Sequence, residues 1–341
     1  MTDPHSRDER RSEKILLTGA TGRIGRVVLE DLLSRGYSVR AVTSKAPPQT
    51  SAAGNNIEWR QFDLLTDDAY DELVSGCAAV VHLAAELGNI ENMQRANADA
   101  TGSLAKAAEQ AGVKAFCYTS SIAVYGSSLR THMSEDAPVL TFDRDVRAEY
   151  WAPDTMRAYG RTKLAGEFAL RQVAHATRYV VLRPTVVIDV SDLIGIRDWS
   201  MPRRMLAAHR HAHHVYVRDV SDAIIWSMDR ALAGTGMPGS IEVFNLSEDD
   251  YPEPTYGSFM RKAYIETRDP RFNVVTAPTL ADWSQHVLKF RMLPVRNPLW
   301  GMRFPNDRLR NAGYRFRFGL SHLEKLALER LSSEAKGPPQ R

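Results

Sequence analysis

The chain is predicted to fold as an α/β protein, a doubly wound parallel sheet with a smaller C-terminal substrate-binding part, and three observations carry that expectation. Short apolar runs alternate with amphipathic stretches at helical spacing over the first half of the 341 residues. A glycine-rich turn, Thr18-Gly19-Ala20-Thr21-Gly22-Arg23-Ile24-Gly25, joins the first apolar run to the first amphipathic stretch. Much later, Tyr159-Gly160-Arg161-Thr162-Lys163 sets a phenol and an ammonium four residues apart, on one face of a helix. The alternation predicts strands near 14–18, 37–43, 57–62, 78–83, 113–119 and 178–187, with helices near 23–35, 66–75, 89–111 and 159–173. Ligands of such a sheet gather at the carboxyl ends of its strands.

Ile15-Leu16-Leu17 reads as a strand buried on both faces, and Arg23 to Ser34 as a helix with Ile24, Val27, Val28, Leu32 and Leu33 apolar. Between them Gly19 permits a tight bend, Gly22 lets backbone approach a pyrophosphate and Gly25 lets the helix close on the strand. The helix N-terminus offers unpaired N–H groups to the anion. The spacing G-x-x-G-x-x-G departs from the commoner G-x-G-x-x-G. At the end of the second strand, Val39-Arg40-Ala41-Val42-Thr43-Ser44-Lys45 holds no acid for a ribose 2′-hydroxyl. Thr43, Ser44 and Lys45, with Arg23 from the glycine turn, offer hydrogen bonds and charge to a 2′-phosphate instead. NADP(H) is therefore the expected cofactor and NAD(H) the alternative, in which Lys45 opens a solvated loop and Arg23 is an exposed helix residue.

A free tyrosine titrates near pKa ~10, so a tyrosine that exchanges protons near neutrality must be helped down. An ammonium beside the phenol favours the phenolate. An exposed helix face produces the same Tyr-x-x-x-Lys spacing. The hydroxyl-bearing strand end Thr119-Ser120-Ser121-Ile122-Ala123-Val124-Tyr125-Gly126 upstream argues against that plainer reading. Further signatures follow in order: Asp63-Leu64; Val81-His82-Leu83-Ala84-Ala85; Asn97; Leu182-Arg183-Pro184; Val217-Arg218-Asp219-Val220; and Phe244-Asn245-Leu246. On this set the chain resembles the extended branch of the short-chain dehydrogenase/reductase superfamily, the NAD-dependent epimerase/dehydratase-like proteins, over roughly residues 14 to 315.

The resemblance implies a Rossmann domain and a set of roles. Ser121 would hydrogen-bond a substrate carbonyl, Tyr159 would give or take the proton, and Lys163 would bind the nicotinamide ribose and lower the tyrosine pKa. Asn97 would shape the catalytic site. Asp63 and Leu64 would flank the adenine, and Thr21, Ile24, Leu83, Ala84, Ala85, Thr119, Pro184 and Val186 would complete the cofactor contacts. Ser120 and Tyr125 are kept as structural. Two departures narrow the reaction. Dehydratases of the family carry Asp-Glu where this chain has Ile122 and Ala123, so elimination of water is not expected. Nucleotide-sugar epimerases carry an Asn and an Arg where this chain has Val186 and Ala212, although Arg197, Arg203, Arg204 or Arg210 lie near enough in sequence to compensate. The expected activity is an NAD(P)-dependent reductase or dehydrogenase acting on a non-nucleotide carbonyl or alcohol. The alternatives are an epimerase with tightly bound cofactor and a non-catalytic NAD(P)-sensing regulator.

Composition agrees. At 43% hydrophobic the chain can bury a full core, and a formal charge of +3 gives no case for nucleic acid. No run of 18 apolar residues predicts a membrane span. Residues 1–13 read as a disordered polar tail and 332–341 as another. The dinucleotide-binding domain is expected over 14–183 plus about 213–250, and the substrate-binding part over 184–212 plus about 251–331. Cys77 and Cys117 are the two cysteines, Cys117 being expected as a buried thiol, and cytoplasmic placement is expected. The partner is a small-molecule substrate, with a homodimer left open. The His209-to-His214 cluster has no carboxylate or cysteine at ligand spacing, so no metal is expected. Trp151, Trp199, Met201, Trp283, Phe290, Met292 and Trp300 either pack a small domain or wall an apolar substrate. The long loop 130–157 is expected to border the substrate cleft.

Overall fold

Alternation along the first strand sets the layers. In β1 (Lys14–Thr18) Ile15 and Leu17 face one side of the sheet and Leu16 the other, and all three are fully buried. The computed structural model describes residues 13–48, 56–126, 131–140, 154–208, 211–249, 256–273 and 302–335. The expectations for Trp151, Trp283, Phe290, Met292, Trp300, His209, Arg210, residues 130 and 141–153 of the 130–157 loop, and the first twelve residues lie outside them.

After β1 come α1 (Arg23–Ser34), β2 (Ser38–Thr43), β3 (Ile57–Gln61), α2 (Tyr70–Val74), β4 (Ala79–His82) and α3 (Ile90–Gln94). A π-helical turn (Arg95–Asp99) leads into α4 (Ala100–Gln110) and β5 (Ala115–Thr119). Then follow α5 (Asp154–Val173), β6 (Arg178–Pro184), β7 (Val186–Ile188), α6 (Val190–Ile194), α7 (Met201–Ala207) and β8 (His214–Tyr216). The last elements are α8 (Val217–Leu232), β9 (Ile241–Leu246), α9 (Tyr256–Thr267), α10 (Asp307–Asn311) and α11 (Gly319–Ala335). Seven strands form one parallel sheet in the order β3-β2-β1-β4-β5-β6-β9, the doubly wound arrangement predicted. Val28 and Leu32 of α1 and Ile224 and Met228 of α8 cover the Ile15–Leu17 face; Leu104 and Ala108 of α4 and Leu170 of α5 cover the Leu16 face. Among the described residues no helix is long and apolar enough to cross a membrane.

Four elements differ from the sequence expectation. The strand expected over 178–187 is two: Thr185 N still bonds Leu246 O, but Val186 N bonds His213 O, so the chain changes partners and β7 pairs with β8 in a separate two-stranded sheet. The helix expected over 89–111 is interrupted by the π turn at Asn97. Helix α5 starts at Asp154, which places Tyr159 in its second turn rather than at its beginning. Helix α11 continues to Ala335, so residues 332–335 are helical rather than tail. Of the segment assigned by sequence to the substrate part, Leu309 and Tyr314 pack into the core of the main sheet, and the Tyr314 hydroxyl donates to Asp219 O at 3.0 Å. Asp219 then accepts the N–H groups of Arg317, Phe318 and Gly319, anchoring the start of α11. A second cluster gathers Ile188 of β7, Leu193 of α6, Phe259 of α9 and Leu323 of α11 into a smaller packed unit.

Candidate active site

The turn after β1 closes because its glycines have no side chains. Gly19 takes φ +68°, and a Cβ on it would lie 2.8 Å from Ala84 N; a Cβ on Gly25 would lie 2.0 Å from Gly19 O. Thr18 ties this turn to the end of β4, its Oγ1 accepting from Leu83 N and Ala84 N, each at 3.2 Å. The same hydroxyl lies 2.7 Å from His82 Nδ1, and His82 Nε2 lies 3.0 Å from Thr101 Oγ1. Since Thr101 donates to Asn97 O at 2.8 Å, its oxygen is left to accept. The chain of donors therefore runs from Thr18 through His82 Nδ1 and Nε2–H to Thr101 and Asn97. Burial, with the Lys163 charge adding to it, pushes His82 down to about 3 and keeps it neutral.

A cleft of about 600 Å³ opens at the carboxyl ends of the main-sheet strands. Most of the sequence-predicted residues line it: Gly19, Thr21, Gly22, Arg23, Ile24 and Gly25 from the turn; Thr43, Ser44, Asp63 and Leu64 from the ends of β2 and β3; Leu83, Ala84 and Ala85 after β4. Thr119, Ser121, Tyr159, Lys163 and Pro184 line it from the ends of β5 and β6 and from α5. Three do not. Lys45 is exposed and beyond the lining, its N–H turned back to Thr43 Oγ1. Val186 is 48% exposed, and the neighbour that lines the cleft is Val187, because residues alternate faces along β7. Asn97 is fully buried, holding Glu86 N and O with its side-chain amide and Thr162 Oγ1 with its Nδ2. It holds the Glu86 loop, which lines the cleft, and does not itself line it. Its backbone carbonyl accepts from Thr101 Oγ1 and from the Tyr118 hydroxyl at 3.3 Å. The described part of the 130–157 loop also stays outside the cleft, Met133 and Leu140 packing on Val124, Tyr125 and Phe304.

Ser121 caps a short 3₁₀ turn (Ile122–Tyr125), its Oγ accepting from Ala123 N at 3.1 Å. Tyr159 and Lys163 reach the same cleft from α5. Burial pushes the Tyr159 phenol up to about 12 and the Lys163 ammonium down to about 7, Glu167 opposing the latter. The expected downward pull of lysine on tyrosine is thus overridden here: both side chains are desolvated, and Lys163 Nζ lies 4.1 Å from the centre of the Tyr118 ring. Arg23, expected to be available to a phosphate, forms an exposed ion pair with Asp192 of α6. Thr21 Oγ1 lies 3.3 Å from Thr43 Oγ1, joining the glycine turn to β2.

Beneath Ser121 lies a buried polar chain that sequence reasoning did not assemble. Ser120 Oγ donates to Glu167 Oε1 at 2.6 Å, and Arg183 grips Glu167 with Nε and Nη2 at 2.9 and 2.6 Å. Arg183 Nη1 donates to the Tyr125 hydroxyl, which donates to Asn245 Oδ1 at 2.7 Å. Thr18, Val42, Phe62, Glu86, Thr185 and Val187 also line the cleft without having been predicted. Their shared signal is position at or just past a strand's carboxyl end.

A glycine turn at a helix N-terminus shares one cleft with a hydroxyl, a phenol and an ammonium. The sequence profile of the NAD dependent epimerase/dehydratase family matches residues 15–191, just over half of the chain, and the protein belongs to that family. A ceramide reductase of Caulobacter vibrioides is 24% identical over 285 residues, 79% of this chain and 78% of that one. A decarboxylating sterol-4-alpha-carboxylate 3-dehydrogenase of Dictyostelium discoideum is 27% identical over 196 residues, 54% of this chain and 55% of its own length. Two other curated relatives at 30% identity are matched over only 42% and 47% of their own length. Among solved structures, a short-chain dehydrogenase/reductase superfamily protein from Agrobacterium tumefaciens with bound NAD has TM-score 0.66 at 22% identity, covering 95% of this chain and 100% of that one. A UDP-glucose-4-epimerase from Stenotrophomonas maltophila with bound NAD has TM-score 0.64 at 18% identity, covering 96% and 100%. A human epimerase family protein with NADPH has TM-score 0.60 at 19% identity, covering 94% and 99%. At these identities the structures establish the shared fold.

Proposed function

We propose that the protein is an NADP(H)-preferring reductase or dehydrogenase that moves a hydride between a nicotinamide and the carbonyl or alcohol carbon of a non-nucleotide, apolar substrate. The observation that carries this reading is that Ser121, Tyr159 and Lys163 line the same cleft as the glycine turn. Bound nicotinamide supplies the hydride donor or acceptor. Ser121 Oγ hydrogen-bonds the substrate oxygen, and the Tyr159 hydroxyl gives a proton to that oxygen in reduction or takes one in oxidation. Lys163, on the same face of α5, holds the ribose. Arg23, Thr43 and Ser44 fit a 2′-phosphate, Arg23 by exchanging its Asp192 partner for it.

Elimination would need a further acid/base pair, and Ile122 and Ala123 supply none. Glu86 does reach the cleft, but its carboxylate accepts from Asn89 N and Gly88 N, which hold it below the usual carboxylate range as a loop anchor. Ala212 is buried and offers no grip on a diphosphate. Leu87 lines the cleft while 58% exposed, placing an apolar side chain at its mouth. The ceramide reductase and sterol dehydrogenase relatives, by their names, act on molecules of that character.

The test is a panel of alicyclic, aromatic and long-chain ketones and alcohols, each offered with NADPH/NADP⁺ and NADH/NAD⁺. Net oxidation or reduction of added nicotinamide, faster with the phosphorylated form and unaffected by UDP, is expected. Tightly retained nucleotide with no net consumption, together with inhibition by UDP competitive with substrate, would move the assignment to a sugar epimerase.

A further inference from the structure

Away from the cleft, two imidazoles and a carboxylate converge on one point beyond the carboxyl end of β9. His211 Nε2 lies 2.9 Å from Asp249 Oδ1, and His213 Nδ1 lies 3.1 Å from each oxygen of the same carboxylate. The donor atoms of all three residues fall within 4.8 Å of one another. Their side chains are 3%, 8% and 4% exposed, and none lines the cleft. His213 adopts φ +47°, a left-handed conformation uncommon for a residue with a side chain. The other nitrogen of His211, Nδ1, is buried without a hydrogen-bond partner among the described residues.

One imidazole would satisfy a buried carboxylate that also accepts Phe304 N at 2.9 Å. Two imidazoles on it, one from a residue in an uncommon backbone conformation, compose the nitrogen-and-oxygen donor set of a borderline divalent ion. We propose that His211, His213 and Asp249 bind a divalent transition-metal ion of zinc's class, stapling the segment before β8 to the end of β9. Binding replaces the imidazole protons that now face Asp249. On His211 the displaced proton has a place to go, since Nδ1 has no partner among the described residues to lose. The described residues supply three donors, so solvent is expected to complete a tetrahedral shell. The positive charge of Arg303 near His211 works against an ion, which makes direct binding the deciding measurement. Lying outside the cleft, the ion would act on stability rather than on hydride transfer.

The test uses the full chain without a histidine tag, stripped with chelator and titrated with Co²⁺ and then Zn²⁺. About one equivalent of Co²⁺ should bind with visible ligand-field bands of a low-symmetry site, Zn²⁺ should displace it, and Zn²⁺ should raise the melting temperature. His213→Asn should lose the bands and the Zn²⁺-dependent shift. Absence of both signals in the unaltered chain would overturn the proposal without reference to any variant. So would bands of unchanged intensity in the His211→Asn/His213→Asn double variant.

Discussion

The glycine turn and the His211–His213–Asp249 cluster are both places where separate segments are drawn into contact, yet only one is legible along the chain. The turn is written in eight consecutive residues, because a strand, a bend and a helix that must close on it are all local demands. The cluster depends on β7 leaving the main sheet to pair with β8, and on a carboxylate 36 positions from the nearer histidine. Along the chain, the histidines of 209–214 have no carboxylate at ligand spacing beside them. Local backbone requirements leave a trace in residue order, whereas contacts made by topology leave one only after the strands are placed.

The largest expected effect tests whether the legible site rests on illegible support. Glu167 and Arg183 form a bidentate pair with side chains 0% and 3% exposed, directly under the Ser120–Ser121 strand end. Glu167→Gln leaves Arg183 buried without its counter-charge and should cost about 3–5 kcal/mol of stability in denaturant unfolding. A loss below about 1 kcal/mol would mean that the buried chain is not what holds the catalytic end in place.

That network also marks where sequence reading stopped. The positions of the first six strands, the glycine turn and the shared face of Tyr159 and Lys163 follow from local pattern, and the structure contains them. Val186 was misplaced because a change of sheet partner shifts which residue faces the cleft, putting Val187 there. The π turn at Asn97 was not foreseen, because nothing in an apolar helical pattern announces one. Tyr314 joins the main core through the Asp219 backbone carbonyl, across 95 positions of sequence, a contact no local pattern encodes.

A smaller effect sharpens the same contrast at the cofactor end, where Arg23 belongs to the legible turn and Asp192 to the topology-dependent α6. Asp192→Asn should release Arg23 and raise the ratio of NADPH to NADH affinity by up to about fivefold, the scale of an exposed ion pair. Arg23→Ala should lower that ratio, while Lys45→Ala, outside the lining, should leave it nearly unchanged. Isothermal titration with both nucleotides measures all three. A Lys45→Ala effect exceeding that of Arg23→Ala would contradict the placement of the 2′-phosphate.

The central claim is that Tyr159 carries the proton. Its folded-state pKa, raised by burial to about 12 from an ordinary value near 10, leaves it protonated and ready to donate at neutral pH. Conversely, alcohol oxidation needs the phenolate and should accelerate as pH rises toward that value. The stability contributed by the buried neutral phenol is full below pH ~10 and lost as pH climbs through about 12, so the rate must be followed below that window. The most direct measurement is the turnover of Tyr159→Phe at saturating cofactor, from pH 7 to 9.5, beside nucleotide affinity. The account predicts a fall of ~10²–10⁴-fold, loss of the alkaline rise in oxidation, and unchanged cofactor binding. Near-full turnover with the pH dependence intact would contradict it.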